Sequence, residues 1–95
     1  MNNYITSELI NKEEIVNLKF PKDDVLRKKN AIKNRIINLK RAMALGNLEK
    51  GKVKIFFKDS FGLKSVETTV WGITDKSVIL KRRALIPVRR IVRVV

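Results

Sequence analysis

The apolar residues of this chain change their spacing once, near Gly46-Asn47, and that change limits the folds open to it. Before it, Val25, Ile32, Ile36, Leu39 and Met43 recur at intervals of seven, four, three and four, which stacks them on one helix face. After it the pattern alternates, so that Lys52-Val53-Lys54-Ile55-Phe56-Phe57-Lys58 puts Val53, Ile55 and Phe57 on one side of a strand. A helical period followed only by strand periods predicts an α+β chain.

The helix is expected over residues 23–47. Asp23 or Asp24 is a suitable N-cap that also meets the positive end of the helix dipole, and Gly46-Asn47 tolerates the left-handed conformation of a helix stop. Residues 1–22 read as an arm. Thr6 or Ser7 would cap a short helix there through Leu9, Ile10, Ile15 and Leu18, ended by Phe20-Pro21.

Residues 50–95 read as strands. Asp59-Ser60-Phe61-Gly62 is turn chemistry, and Lys64 to Ile73 forms a second strand in which Gly72 marks a bulge or sharp bend. Ser77 to Lys81 is a third, with Val78 and Leu80 facing in. Leu85-Ile86 begins a fourth that Pro87 stops, and Ile91 to Val95 closes as a fifth. Five short strands in a chain of 95 residues predict a small closed β-barrel, because closure removes exposed edges. The helix would cap one open end, making helix and barrel one domain.

Charge points to the partner. Twenty-two Lys and Arg face nine Asp and Glu, for a net +13. The first 22 residues are neutral, so the excess sits in the helix and strand regions. Seven helix-region cations, with almost no acid one turn away, depart from the mixed signs of an ordinary solvated face. Lys28, Lys29, Lys33, Lys40 and Arg41 are the candidates there. Lys81-Arg82-Arg83 and Arg89-Arg90 sit at expected turns, where long side chains reach phosphates, and with Arg93 they would form one patch. The bland alternative for each is solubility charge. Phe61, in a turn, is expected to be exposed and available to stack on a base. Trp71 would by default pack in the core, with base stacking as its functional alternative.

Catalytic chemistry is not expected. The chain has no Cys and no His, which removes thiolates and the commonest general base and metal ligand. The acids Glu8, Glu13, Glu14, Asp23 and Asp24 suit helix starts, and Asp59 and Asp75 suit turns; Asp23-Asp24 is a helix cap far more readily than a metal site. No phosphate loop or dinucleotide fingerprint is present, so no catalytic residue, metal, cofactor or small-molecule substrate is expected. No apolar run approaches the roughly 20 residues that cross a bilayer, and Met1-Asn2-Asn3-Tyr4 lacks a signal-peptide start, so the expected location is cytoplasmic with no membrane partner.

The run from Val70-Trp71-Gly72-Ile73 through Asp75-Lys76-Ser77-Val78-Ile79-Leu80, followed by Ile86-Pro87-Val88-Arg89-Arg90-Ile91, resembles the SH3/Sm-like small barrels. In those a glycine-bearing bent strand, a tight turn, a V-x-L strand and an I-P-x-x-x-I turn follow one another. Here Lys81-Arg82-Arg83-Ala84-Leu85 replaces the glycines often found between two of the strands. The stretch Lys40-Arg41-Ala42-Met43-Ala44-Leu45-Gly46-Asn47-Leu48-Glu49 to Val53, then Val66-Glu67-Thr68-Thr69-Val70-Trp71, also resembles a lineage-restricted accessory protein of the bacterial large ribosomal subunit. That family couples a basic N-terminal helix to such a barrel, and its likeness extends from about residue 28 onward. It implies a structural protein that binds ribosomal RNA by phosphate neutralisation and shape, beside neighbouring ribosomal proteins. Rival readings are a free Sm-like RNA chaperone, a basic nucleic-acid-binding regulator, and a peptide-gripping SH3 module, the last disfavoured by having only six aromatic residues.

Overall fold

The computed structural model describes residues 7–49 and 51–95. Met1–Thr6 and Lys50 lie outside them, and with them Thr6 as a candidate cap. The described chain is α+β, with one long helix and seven strands in two sheets. Strand β1 (Glu8–Leu9) precedes helix α1 (Lys29–Glu49). Then follow β2 (Val53–Asp59), β3 (Gly62–Thr68), β4 (Val70–Ile73), β5 (Ser77–Leu80), β6 (Leu85–Pro87) and β7 (Ile91–Val94). One sheet has the order β1-β3-β2-β7 and the other β4-β5-β6.

The alternation in β2 folds as it reads: Val53, Ile55 and Phe57 are buried, as are Val78 and Leu80 on β5. The strand expected over Lys64 to Ile73 is two strands. It breaks at Thr69, whose carbonyl accepts from the Lys81 amide (3.1 Å), so β3 stays in the first sheet and β4 enters the second. The β4–β5 register then slips between Val70 and Gly72, leaving Trp71 as the extra residue of a bulge. No ladder joins the two sheets, so a single closed five-stranded barrel is not what the described residues form. Instead α1 spans the junction, packing on β4 of one sheet and β7 of the other.

The short helix expected before α1 is present only as a 3₁₀ helix over Lys12–Asn17, capped at Asn11 and preceded by a strand. Leu9 pairs beside Ser65 in a parallel β1–β3 ladder, the Ile10 amide donates to the Ser65 carbonyl (2.9 Å), and a 3₁₀ turn follows at Lys12–Asn17. Ile10 and Ile15 enter the core, because leaving two β-branched side chains in water would forfeit burial that a thin core needs. Phe20 then packs on Phe57, ring centroids 6.0 Å apart.

Residues 20–28 form a strap with bends and no helix or strand, and helix α1 starts at Lys29, five to six residues later than expected. Asp24 does not cap it. Its carboxylate accepts from the Leu26 amide (2.8 Å) and grips Arg35 through two bonds of 2.8 Å each. The Val25 amide donates to the Arg89 carbonyl (2.9 Å), which commits the strap to the far end of the chain.

The helix is also rotated from its expected setting. Arg35, Leu39, Ala42 and Gly46 are its buried line, while Ile36 and Met43 flank the core; at 3.6 residues per turn this is a rotation of roughly 60°. Gly46 shows why. A Cβ there would lie 2.5 Å from the Val70 carbonyl oxygen, so α1 crosses β4 too closely for a large residue. Gly46 is therefore a close-approach residue within the helix and not its stop. No helix among the described residues is long and apolar enough to cross a membrane.

Candidate nucleic-acid interface

The basic residues divide by what the fold does with them. Lys28, Lys29, Lys33, Lys40 and Arg41 are exposed. Within α1, Lys29, Lys33 and Lys40 share one face with Asn47, a ridge about 27 Å long at 1.5 Å per residue. None of the five cations takes part in an ion pair among the described residues.

Arg35 is the helix cation turned inward. It is 5% exposed, its guanidinium donating to both Asp24 oxygens and to the Ile91 carbonyl (3.1 Å). This fixes strap, helix and β7 at one point, and the hydrogen bonds from Arg35 hold the Asp24 carboxyl below its ordinary value against the opposing effect of burial.

Arg90 corrects the expectation of an outward-facing Arg89-Arg90 pair. It is 6% exposed; Nε donates to the Lys58 carbonyl (3.0 Å), and one terminal nitrogen donates to the Asp23 carbonyl (2.9 Å) and carboxylate (3.1 Å). The 3₁₀ turn at Val88–Arg90 sends consecutive side chains to different sides, so Arg89 points out while Arg90 turns in. Arg90 thus ties strap to sheet, with Nε and one terminal nitrogen committed to internal acceptors.

Lys81, Arg82 and Arg83 are exposed in the connection from β5 to β6. Arg82 sits at φ +66° and Arg83 at φ +64°, two consecutive non-glycine residues in the left-handed region. Such a conformation costs roughly 1–2 kcal/mol per residue with a Cβ. Arg82 has one exposed ion pair, 3.8 Å from Glu13. Since β6 separates this turn from the one carrying Arg89, the two clusters lie at opposite ends of a strand, and Lys81 and Arg89 line different clefts. Arg93 is exposed on β7, in the other sheet. The expected single patch is therefore several separate stations.

Two clefts differ in whether carboxylates line them. One of about 610 Å³ beneath the strap carries Lys22, Arg35, Lys76 and Arg89 but also Asp24 and Asp75. The other, about 500 Å³, lies between the end of α1, β4 and the β5–β6 turn; it is lined by Gly46, Asn47, Lys52, Thr69, Trp71 and Lys81, with no carboxylate among these residues. Trp71 is 51% exposed, because the bulge frees it from the ladder while Val70 before it is fully buried. Phe61 is 85% exposed at the β2–β3 turn, as expected. That turn is held by Asp59, whose carboxylate accepts from the Phe61 (2.7 Å) and Gly62 (3.0 Å) amides and pairs with Lys64. Burial opposes ionisation of Asp59, yet the amides and Lys64 prevail and hold it below its ordinary value.

Lys52 and Asn47 carry no sequence signal as site residues. One reads as a strand-flanking lysine and the other as a helix stop, and only the crossing of α1 over β4 brings them together. Compared with known proteins, the chain matches no protein-family model, no curated protein and no solved structure.

Proposed function

We propose that this chain is a structural RNA-binding protein of the ribosome, on the large subunit, which holds ribosomal RNA in the cytoplasm by phosphate neutralisation and shape and carries out no catalysis. One observation carries the reading: the fold keeps two kinds of arginine. Arg35 and Arg90 are buried against Asp24 and Asp23, whereas Arg82 and Arg83 are held outside in a backbone conformation that glycine or asparagine would adopt with less strain. Structural economy accounts for the first pair. A need for charge at that point of the surface accounts for the second. The ridge Lys29, Lys33 and Lys40, in no ion pair among the described residues, supports the same reading, since it offers phosphates cations that no acid of the fold neutralises.

The strand order favours a relation to the SH3/Sm-like small barrels. A chain that bends at Thr69 from one sheet into another, a 3₁₀ turn before the last strand, and that strand returning to pair with β2 are the parts such a barrel requires. Neighbouring ribosomal proteins would meet the surfaces that RNA leaves free.

Sucrose-gradient fractionation of a lysate tests the assignment. The protein is expected with the large subunit at low salt and released as salt rises. A chain that stays at the top of the gradient at low salt refutes it. In filter binding to ribosomal RNA, about six phosphate contacts give a log–log salt slope of roughly −4 to −5; a slope near zero rejects the electrostatic mechanism.

A further inference from the structure

We propose that the cleft between the end of α1, β4 and the β5–β6 turn is a site for one unstacked nucleotide of a single-stranded RNA segment. Its base would lie against the Trp71 indole and its phosphate between Lys52 and Lys81. This rests on the RNA-binding reading above and gives it a definite place.

The cleft is built by three separate features of the fold. The bulge between Val70 and Gly72 releases Trp71 from the β4–β5 ladder and leaves half of it exposed. A tryptophan left in the ladder register would alternate with Val70 and be committed to one side of the sheet. Gly46 lets α1 approach β4 until a Cβ would meet the Val70 carbonyl at 2.5 Å, which brings Asn47 to the cleft wall. The Lys81 amide is anchored on the Thr69 carbonyl at 3.1 Å, fixing the start of the basic turn beside the same wall.

The chemistry of the lining selects the ligand. An indole face suits any base, because every base has a π-face. Two ammonium groups without a carboxylate among the lining residues suit an anion. The Asn47 amide offers both a donor and an acceptor to a base edge. A volume of about 500 Å³ lies within the range of small-molecule sites. The larger cleft beneath the strap suits a phosphate less well, because the carboxylates of Asp24 and Asp75 line it beside its cations. The ridge Lys29, Lys33 and Lys40 lies on the helix face that ends at Asn47, so a strand laid along it would arrive at the cleft. Paired bases cannot use the site, since their faces are already stacked.

Trp71 is the only tryptophan in the chain, so its emission reports on this cleft alone. The experiment titrates the full chain with a fluorescein-labelled single-stranded octauridylate and, separately, with a blunt RNA duplex of equal length. Anisotropy reads binding and tryptophan emission reads stacking. The single strand is expected to raise anisotropy and quench Trp71; the duplex is expected to raise anisotropy with little quenching. Trp71→Ala should weaken the single strand roughly five- to 150-fold and leave the duplex unchanged, while Trp71→Phe should keep most of the affinity. Lys52→Gln with Lys81→Gln should reduce the single-strand salt slope by about 1.4. This pair decides the matter if circular dichroism shows that Trp71→Ala fails to fold. Single-strand binding with unmoved Trp71 emission overturns the nucleotide site and leaves the RNA-binding reading standing. No anisotropy change with either RNA at low salt overturns both. Free uridine monophosphate binding as tightly as the octamer, with equal quenching, overturns the assignment to a strand.

Discussion

Replacing Arg82 with Asn and Arg83 with Gly separates strain from charge in one turn. Both positions are left-handed, φ +66° and +64°, where a residue with a Cβ costs roughly 1–2 kcal/mol. Relief at both sites is then about 2–4 kcal/mol. Against it stand the entropy a new glycine adds to the unfolded chain, about 0.4–1 kcal/mol, and the loss of the exposed Arg82–Glu13 pair, at most about 0.5 kcal/mol. Asparagine keeps part of the strain, so the net expectation is a stabilisation of about 1–2 kcal/mol. For a domain of this size that is a rise in melting temperature of roughly 4–16 °C. The assay pairs calorimetry of the isolated variant with filter binding to ribosomal RNA, and Arg82→Lys with Arg83→Lys serves as the control that keeps both charge and strain. The Asn-Gly variant should melt higher and bind more weakly, its salt slope reduced by up to two contacts; the lysine control should do neither to the same degree. A melting temperature unchanged or lowered in the Asn-Gly variant refutes the strain argument. Undiminished RNA binding refutes the role of the turn.

Three further outcomes follow from named contacts. Arg90→Gln should cost about 2 kcal/mol in a denaturant melt, since it strips charged donors from the Lys58 and Asp23 carbonyls; a neutral result would return Arg90 to the candidate RNA surface. Gly46→Ala should lower the melting temperature even though alanine favours helix by about 1 kcal/mol, because the added Cβ meets backbone at 2.5 Å; a stabilised variant would show that α1 sits farther from β4. Asp24 and Asp59 are both held below the ordinary aspartate value of 3.8, so the stability they lend is full above that value and is lost as pH falls through their folded-state values. Thermal melts should therefore be flat between about pH 5 and 7 and decline below about pH 4, with Asp24→Asn showing a shallower decline; a parallel decline in both proteins would mean that Asp24 plays no part.

The elements whose periodicity governs their own burial were legible in the sequence. Val53, Ile55 and Phe57 alternate because a strand does, and the fold buries all three. The turn at Asp59–Gly62 follows from local hydrogen bonding that Asp and Gly supply in any context. The helix was legible as a helix, but its start was not, because Asp24 as a cap and Asp24 as a partner for Arg35 look identical until Arg35 is placed. Its rotation was hidden for a similar reason: Ala42 and Gly46 give almost no hydrophobic signal, yet small size is what a close crossing selects. Arg90 was the least legible site residue. A basic pair at a turn reads as surface, and only contacts 32 and 67 residues away in sequence draw one of the two inward. Trp71 was undecided between core and surface, and the bulge that decides it is a property of two strands together.

The strap sets the order in which the molecule can be completed. Val25 bonds to Arg89, Asp23 to Arg90, and the partner of β2 across from β3 is β7. A chain leaving the ribosome at about 5–20 residues per second therefore waits roughly 3–14 s between the synthesis of Val25 and that of Val94. During that interval the strap lacks the Arg89 and Arg90 groups it bonds to and the helix segment lacks β7, and strap and helix segment together carry most of the cations of the N-terminal half. The domain must consequently be finished after its last strand is made, in a single late closure that joins the two ends of the sequence. Segments held by such long-range contacts form slowly, which leaves a polycationic chain open to the first polyanion it meets.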